Sequence, residues 1–400
     1  MKTARGNRIH IGLYGKRNVG KSTIFNMLLG QDFSIVSDVL GTTTDSVVKA
    51  IELQKIGPVS LIDTAGFDDV ESLGNLRVEK TKETLLRADC VIFVLDNNGL
   101  ENSDIEFLNE INEIPTLAII NKQDEGEISQ EKLKEIEKYF KNTIKISALK
   151  ISRDEFLTKV EDILAEILKK KINEVSTTLP EVLNKGDFVH LVIPIDKEAP
   201  KGRLILPQVQ VLRDLLDLGC SISISGVENL KATIENLKQM PKLVITDSQA
   251  FKEVEEILPK NILLTSFSIL FANLKGDIKT FIDGTKTVDS LDNGDKILIL
   301  ESCTHHAIED DIGRVKIPNL IKKYTSKNLT FEHYSGCDFP KNIEEYALII
   351  HCGACMTNRS EILNRIKITK TKNIPITNYG IIISKCLGIL DRAVEVFNLI

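Results

Sequence analysis

A glycine-rich motif near the start of the chain has the residue types and spacing of a phosphate-binding loop. Residues 15–22 read GKRNVGKS and match G-x-x-x-x-G-K-S, between a strand-like run and a helical pattern. Glycines let successive backbone N–H groups curl around phosphate oxygens, and the start of the following helix adds positive potential. In such a loop Lys21 reaches the terminal phosphates and Ser22 ligates Mg²⁺. The candidate nucleotide-binding residues here are Gly15, Asn18, Val19, Gly20, Lys21, Ser22 and Thr23.

Three further motifs follow in the order that a GTP-binding domain requires. DTAG at 63–66 ends an apolar run, where Asp63 can hold the magnesium shell and the Gly66 N–H can meet the γ-phosphate. NKQD at 121–124 lets Asp124 accept from the ring N–H and the 2-amino group of guanine, and adenine lacks that amino group. SAL at 147–149 fits a loop whose backbone contacts guanine O6. The motifs predict GTP and GDP as ligands, bound with Mg²⁺ through Asp63, Gly66, Asn121, Lys122, Asp124, Ser147 and Ala148.

The pattern over residues 8–170 resembles the small GTPase superfamily. Within it, GTTTD at 41–45 is similar to the switch loop of the bacterial Era and tRNA-modification GTPases, which implies that Thr43 contacts Mg²⁺ and the γ-phosphate. Asn18 matches the asparagine that ligates a monovalent cation in potassium-activated members of that group. The resemblance therefore implies K⁺ as a cofactor.

Intrinsic hydrolysis in this domain is expected to be slow or to depend on other groups. Residue 67, after DTAG, is Phe, and a phenyl ring cannot orient the attacking water. Asp69 stands where those relatives place a water-orienting acid, although Asp is shorter than their Glu; alternatively, Asp68 and Asp69 simply belong to a solvated switch. The residues assigned to catalysis are Lys21, Thr43 and Asp69.

A second set of candidate ligands lies in the last hundred residues, as CTHH at 303–306 and HCGAC at 351–355. Both groups follow predicted buried strands, and loops at the carboxyl ends of neighbouring parallel strands converge on one crevice. Thiolates with histidine suit zinc, whereas three cysteines with one variable ligand suit an iron-sulfur cluster. Cysteines that merely pack are the alternative. The candidate ligands are Cys303, Cys352 and Cys355, with His305 and His351 as candidates for a fourth position.

The elements that must position these residues follow an α/β pattern. Up to about residue 170, β-rich runs alternate with helical periodicity, which predicts a parallel sheet covered by helices. After a polar linker, the apolar run FVHLVIPI is of a kind that would need a partner at a sheet edge. A third unit from about residue 262 has strand-like runs at 296–302, 346–351 and 380–384.

Composition excludes several classes of protein. The 400 residues are 42% hydrophobic and 27% charged, which is typical of a globular chain and not of a disordered one. The formal net charge of −6 gives no positive field for nucleic acid or an anionic membrane. No apolar run approaches the roughly 18 residues of a membrane helix, so a cytoplasmic location is expected. The odd and low count of 7 cysteines argues for reduced thiols.

The combination of a GTPase domain, a middle domain with no catalytic constellation and a C-x-H…H-C-x-x-C ending resembles the HydF family, the maturation GTPases of [FeFe]-hydrogenases. The resemblance spans the whole chain. It implies a [4Fe-4S] cluster on Cys303, Cys352 and Cys355, with a fourth position open to His305, His351 or a nearby carboxylate. It also implies a homodimer that receives a transient diiron subcluster from two radical-SAM maturases and delivers it to the apo-hydrogenase.

The expected organisation is α/β throughout, with a P-loop GTPase domain followed by two smaller α/β domains. The boundaries are 1–172 for the GTP-binding domain, 173–187 for the linker, 188–261 for a dimerisation domain and 262–400 for a cluster-binding domain. Two other functions have the same motifs: a GTPase gated by an iron-sulfur redox sensor, and a GTPase acting on tRNA or ribosomes. The acidic composition disfavours the second.

Overall fold

A computed structural model describes residues 5–30, 47–63, 87–173, 177–194, 204–302, 311–336, 339–340 and 342–398. Five of the predicted site residues lie outside the described residues: Thr43, Gly66, Asp69, Cys303 and His305. The chain divides into two compact units, residues 1–175 and 176–400. Within the described ranges, no helix is both long enough and apolar enough to cross a membrane.

The first unit is built on a six-stranded sheet with the order β2-β3-β1-β4-β5-β6. Its strands are β1 (Ile9–Gly15), β2 (Val47–Leu53), β3 (Gly57–Asp63), β4 (Cys90–Leu95), β5 (Thr116–Ile120) and β6 (Asn142–Lys145). All pairs are parallel except β2 with β3, which is antiparallel. The carboxyl ends of β1, β3, β5 and β6 therefore lie at one edge of the sheet, where ligands bind in open α/β folds.

Helices cover both faces of this sheet, as the sequence pattern predicts. They are α1 (Lys21–Leu29), α2 (Asn102–Glu110), α3 (Gln130–Tyr139), α4 (Arg153–Ile167) and α5 (Lys169–Asn173). Leu13 and Tyr14 are adjacent on β1 but belong to different apolar clusters, one on each face. Tyr14 stacks on Phe107 of α2, with ring centroids 4.1 Å apart. The buried core on both sides holds the strand ends in register.

The second unit contains two four-stranded parallel sheets. The first has the order β10-β9-β7-β8 and consists of β7 (Phe188–Val192), β8 (Ser221–Ser225), β9 (Leu243–Thr246) and β10 (Leu263–Ser266). The second has the order β12-β11-β13-β14 and consists of β11 (Lys296–Glu301), β12 (Thr330–Ser335), β13 (Leu348–His351) and β14 (Ile376–Asn378).

Helices surround the two sheets. They are α6 (Leu206–Leu218), α7 (Leu230–Asn236), α8 (Phe251–Ile257), α9 (Phe267–Lys275), α10 (Ile278–Thr285), α11 (Ile317–Thr325), α12 (Arg359–Thr371), α13 (Tyr379–Cys386) and α14 (Leu390–Val394). One apolar cluster includes Val244 of β9, Ile269 of α9 and Ile349 of β13. The two sheets of this unit therefore share a continuous core.

Two expectations about the second unit are wrong. The apolar strand β7 is not an edge strand, because it pairs with both β8 and β9; its long apolar run is that of a parallel strand buried on both faces. The run at 380–384 forms helix α13 and not a strand. Short apolar runs are ambiguous between the two, and here Asn378 starts the helix by accepting from the Gly380 N–H at 2.9 Å.

The strand that follows residue 262 belongs to the earlier of the two sheets. β10 pairs with β9 from Leu263 to Ser266, although the division at 261/262 assigns it to the third domain. The strands expected at 296–302 and 346–351 are present as β11 and β13, and they are neighbours in the sheet.

Candidate functional sites

The phosphate-binding loop connects β1 to α1, as its sequence predicts. Gly15 ends the strand where an added Cβ would lie 2.9 Å from the Val94 carbonyl, so a side chain does not fit there. Asn18 and Gly20 have positive φ values of 66° and 94°, which curl the backbone ahead of the helix. α1 begins at Lys21, and its N-terminal N–H groups and dipole provide an anion site.

Asp63 and Lys21 meet at the ends of β3 and the loop. Lys21 Nζ lies 3.7 Å from Asp63 Oδ1, and both side chains are largely buried. Burial raises the pKa of Asp63, and the charge of Lys21 opposes this rise. Among the described residues, Asp63 Oδ1 is a buried oxygen without a hydrogen-bond partner. A buried, unsatisfied carboxylate oxygen beside the phosphate loop fits the shell of a bound Mg²⁺, together with Ser22.

Asn121 ties the phosphate loop to the base-binding loops. It directly follows β5 and is 3% exposed. Its amide Nδ2 donates to the Val19 carbonyl at 3.0 Å, and its Oδ1 accepts from the Ala148 N–H at 2.9 Å. Three of the four motifs are thereby linked through one side chain. The neighbouring Lys122 has a positive φ of 62°.

Asp124 and Ser147 meet where the guanine base is expected. Ser147 Oγ donates to Asp124 Oδ1 at 2.5 Å. This bond lowers the pKa of Asp124 and so keeps it ionised as an acceptor. The residue is partly exposed, and its remaining lone pairs can accept from the ring N–H and 2-amino group of guanine.

Lys16 anchors the phosphate loop in a way that the motif does not reveal. Its ammonium lies 2.5 Å from Glu101 Oε2 and 3.2 Å from Asp104 Oδ2. The Asp104 side chain is 2% exposed, and burial raises its pKa. It also accepts from the Tyr14 hydroxyl at 3.4 Å. The loop is therefore pinned to the first turn of α2, a contact for which the variable positions of the motif carry no signal.

The second candidate site lies at the carboxyl ends of β11 and β13. Leu300 of β11 pairs with His351 of β13, so Ser302 and Cys352 leave the sheet side by side. Cys352 Sγ accepts N–H groups from Ser302 at 3.2 Å and from Ala354 at 3.5 Å. Ser302 immediately precedes Cys303 in the sequence. The expected convergence of the two cysteine-bearing segments is thus present up to the last described residue.

Cys355 completes the described part of this site. Its thiol packs against the apolar cluster that includes Phe267 and Phe271 of α9. Burial raises the pKa of Cys355 to about 11, and the charge of Cys352 adds to this rise. A thiol in this position ionises when a bound cation compensates its charge. Sulfur donors with backbone N–H groups directed at one of them fit a soft metal or an iron-sulfur cluster.

The described residues contribute only part of a complete ligand set. Where side chains are described, no three His, Cys, Asp or Glu residues form a group that could hold a metal ion. Cys303 and His305 belong to the range 303–310 and are not described.

His351 does not present a free nitrogen to the cysteines. Its Nδ1 is 2.9 Å from the Cys352 carbonyl, and its Nε2 is 2.8 Å from Arg365 Nη1. Burial lowers the pKa of His351 to about 3, with a further contribution from the charge of Arg365. The neutral ring is therefore fully used in hydrogen bonds within the protein. This geometry disfavours His351 as the fourth ligand.

Residues outside the motif support the cysteine turn. Asn378, at the end of β14, donates to the Cys352 carbonyl at 3.2 Å. Ser268 of α9 donates to Asn378 Oδ1 at 3.1 Å and accepts from the Gly380 N–H at 3.2 Å. None of these residues has a spacing that sequence analysis could have recognised. Their common signal is a polar side chain just after a short buried strand or at the start of a buried helix.

Two family models match the second unit of the chain. The dimerization domain of hydrogen maturase F, HydF, matches residues 178–276, and its tetramerization domain matches residues 279–396. Together the two models span more than half of the chain. The chain belongs to the HydF family. A third model, described as a 50S ribosome-binding GTPase, matches residues 10–122.

Curated relatives match the GTPase part of this HydF-family chain. The tRNA modification GTPase MnmE of Caldicellulosiruptor saccharolyticus is 37% identical over 174 residues, covering 42% of this chain and 37% of its own length. MnmE of Aquifex aeolicus is 33% identical over 192 residues, covering 46% and 39%. The chain thus spans less than two fifths of the length of these relatives.

Solved structures also align with the chain. Aquifex aeolicus Era bound to GDP and AlF4⁻ is 25% identical, with 56% of this chain and 93% of Era covered at a TM-score of 0.32. The G domain of FeoB from T. maritima is 22% identical, with 40% and 99% covered at a TM-score of 0.30.

The predicted GTPase assignment is confirmed. The HydF-family chain carries a P-loop GTPase domain together with the family's dimerization and tetramerization domains. The α/β architecture with a P-loop GTPase domain is confirmed as well.

Proposed function

We propose that this chain is a GTP-hydrolysing scaffold that holds a [4Fe-4S] cluster on Cys303, Cys352 and Cys355. In this role it receives a transient diiron subcluster from two radical-SAM maturases and transfers it to an apo-[FeFe]-hydrogenase. The cluster belongs to the proposed cluster-binding domain, residues 262–400. When bound, it supplies an iron with an exchangeable fourth position, to which a second metal group can attach.

The observation that carries this proposal is the environment of Cys352. Its sulfur accepts two backbone N–H groups, one of them from Ser302, the residue before Cys303. Hydrogen bonds to sulfur stabilise a thiolate and tune a cluster's reduction potential. A cysteine that only packs needs no such donors, and Cys90 shows the contrast: it is fully buried, and its thiol donates to the Val91 carbonyl at 3.9 Å.

Anaerobic purification with analysis of iron, sulfide and zinc tests the cluster. We expect wild type to contain iron and sulfide, and Cys303→Ala, Cys352→Ala and Cys355→Ala to lose most of both. Cys386→Ala is the matched control, because Cys386 is a partly buried thiol of the same unit outside the motif. Zinc without sulfide in wild type would exclude the iron-sulfur cluster.

Transfer of the diiron subcluster needs a separate experiment. Protein loaded in the presence of both maturases should activate purified apo-hydrogenase, and Cys352→Ala should not. If loaded protein never activates the apo-enzyme while GTP turnover follows the redox state of the cluster, the chain is a redox sensor and not a scaffold.

GTP hydrolysis at the nucleotide site is proposed to be slow and to be stimulated by K⁺, which Asn18 would ligate. Lys21 binds the terminal phosphates, Thr43 contacts Mg²⁺ and the γ-phosphate, and Asp69 orients water. The positive φ of Asn18 places it at the curled part of the loop, where a cation can offset charge developing on the phosphates. Turnover of GTP that is the same in K⁺ as in Na⁺ would contradict this.

Self-association is proposed to give a homodimer through the first sheet of the second unit. β8 is an edge strand of that sheet; its Ile224 is 50% exposed, and Leu216 of α6 is 58% exposed. An open edge with exposed apolar side chains favours pairing with a second copy. Ile224→Lys should shift the dimer to monomer in sedimentation, whereas an exposed control, Met240→Lys, should not.

A further inference from the structure

A buried ion pair lies on the side of His351 opposite the cysteine turn. Arg365 and Glu361, one turn apart on α12, are joined by a 2.8 Å contact between Nη2 and Oε1, and their side chains are 4% and 6% exposed. The guanidinium also donates to the Gly336 carbonyl at 3.4 Å and lies 5.7 Å from the Phe339 ring centroid. Buried charges are retained only when such contacts compensate the loss of water.

The ion pair determines which ring nitrogen of His351 carries the proton. Arg365 Nη1 is 2.8 Å from His351 Nε2, and a guanidinium has donors only. Nε2 must therefore accept, which leaves the single proton of the neutral ring on Nδ1. That nitrogen is 2.9 Å from the Cys352 carbonyl and donates to it. Arginine thus selects the tautomer that binds the cysteine turn.

The Cys352 carbonyl is the point at which this chain of contacts reaches the cysteines. Two residues on, Ala354 has a positive φ of 55°, a conformation that costs an alanine free energy and needs support from its surroundings. The same turn directs the Ala354 N–H at Cys352 Sγ. A carbonyl held from one side by His351 and from the other by Asn378 fixes the turn in this conformation.

We propose that Arg365 and Glu361 are positioning residues that act through His351 to hold the turn presenting Cys352 and Cys355 to a bound metal group. The inference rests on the cluster-holding function proposed above and goes beyond it. It gives the histidine of the H-C-x-x-C motif a role as a donor to the backbone and not as a ligand. Neither charged residue belongs to the motif.

The test uses the full chain with Arg365→Met, and Arg213→Met as the matched control. Arg213 also forms an ion pair with an acid four residues on, Asp217, but that pair is exposed. In the apo chain, alkylation of Cys352 and Cys355 by iodoacetamide is followed by mass spectrometry. In chain reconstituted with iron and sulfide, iron retention against a chelator and the EPR signal of the reduced cluster are measured.

We expect Arg365→Met to change the ratio of alkylation rates and the EPR signal, and to weaken iron retention about 10- to 100-fold, as loss of an outer-shell contact does. Arg213→Met should match wild type in all three. A folded Arg365→Met chain with unchanged alkylation ratio, EPR signal and iron retention would overturn the proposal.

Two substitutions of His351 decide the question if Arg365→Met does not fold. Asn places an amide nitrogen where Nδ1 lies, whereas Leu has no donor. A positioning role predicts that His351→Asn keeps most of the iron and His351→Leu loses it. Equal loss in both, or a strong ¹⁴N coupling from a histidine ligand in the wild-type EPR spectrum, would overturn it. Absence of iron and sulfide from wild type would overturn the cluster function instead, and the alkylation ratio would still test the positioning role.

Discussion

The nucleotide site and the cysteine site both lie at the carboxyl ends of parallel strands, but they are held together differently. At the nucleotide site the motif residues support one another, since Asn121 binds the loops that contain Val19 and Ala148. At the cysteine site the motif residues are supported from outside, by Asn378 and by Arg365 acting on His351. The GTPase motifs thus include residues that hold their own site together, whereas the cysteine motif includes the candidate ligands but not the residues that support them.

The largest expected effect separates the chemistry of the two sites. Lys21→Ala removes the cation that faces Asp63 and the terminal phosphates, so GTP turnover should fall about 10²- to 10³-fold. Iron content after anaerobic reconstitution should stay at the wild-type level. Phosphate release and iron analysis on the same preparation measure both. Loss of iron in Lys21→Ala would show that the two sites share supports.

Removal of the internal brace of the nucleotide site should have the next largest effect. Asn121→Ala takes away the hydrogen bonds to the Val19 carbonyl and from the Ala148 N–H. At about 1 to 1.5 kcal/mol each, the two bonds correspond to a loss in GDP affinity of roughly 30- to 160-fold. Fluorescent-nucleotide titration measures it, with Asn236→Ala, an exposed helical amide, as the control. Unchanged affinity would mean that the motifs do not depend on one another.

The corresponding support of the cysteine site should cost stability without affecting the nucleotide. Asn378→Ala removes the cap of α13 and a donor to the Cys352 carbonyl, so the free energy of unfolding should fall by about 1 to 2 kcal/mol. Iron retention should fall with it. Ser266→Ala removes the cap of α9 and should lower stability by a similar amount with iron retained. Equal iron loss in both variants would assign the effect to stability alone.

The smallest expected effect is a pH dependence of the stability of the second unit, at a position away from the cysteines. His190 is buried, with Nδ1 2.6 Å from Ser223 Oγ and Nε2 3.0 Å from Ser225 Oγ. Burial lowers the pKa of this histidine. A group with a lowered folded-state pKa contributes stability above its unfolded value near 6.5, and this stability is lost as the pH falls below that value. The slope is at most about 1.4 kcal/mol per pH unit.

Denaturant unfolding at pH 7.5, 6.5 and 5.5 measures this response. His190→Gln should flatten the dependence relative to wild type. Identical slopes for the two proteins would place the response elsewhere in the unit.

The sequence was sufficient to predict the local motifs and strands, but not the side-chain contacts between different elements. The phosphate loop, the NKQD segment and the two strands before the cysteines were all recognisable, because short motifs and buried strands carry their signal in neighbouring residues. The contacts of Lys16 with Asp104 and of Arg365 with His351 join different elements, and only the folded chain brings them together. For the same reason, the sequence gives no sign that both ring nitrogens of His351 have partners within the protein.

The hydrogen bond from Ser302 to Cys352 spans 50 residues of chain, and this has a consequence for biosynthesis. The sulfur acquires this donor only after β11 and β13 have paired, and β14 brings Asn378 later still. A nascent chain in which β14 has not yet joined the sheet therefore lacks part of this support, whereas the GTPase domain can already be folded. Loading of the proposed metal group is then expected only after β14 has joined β13.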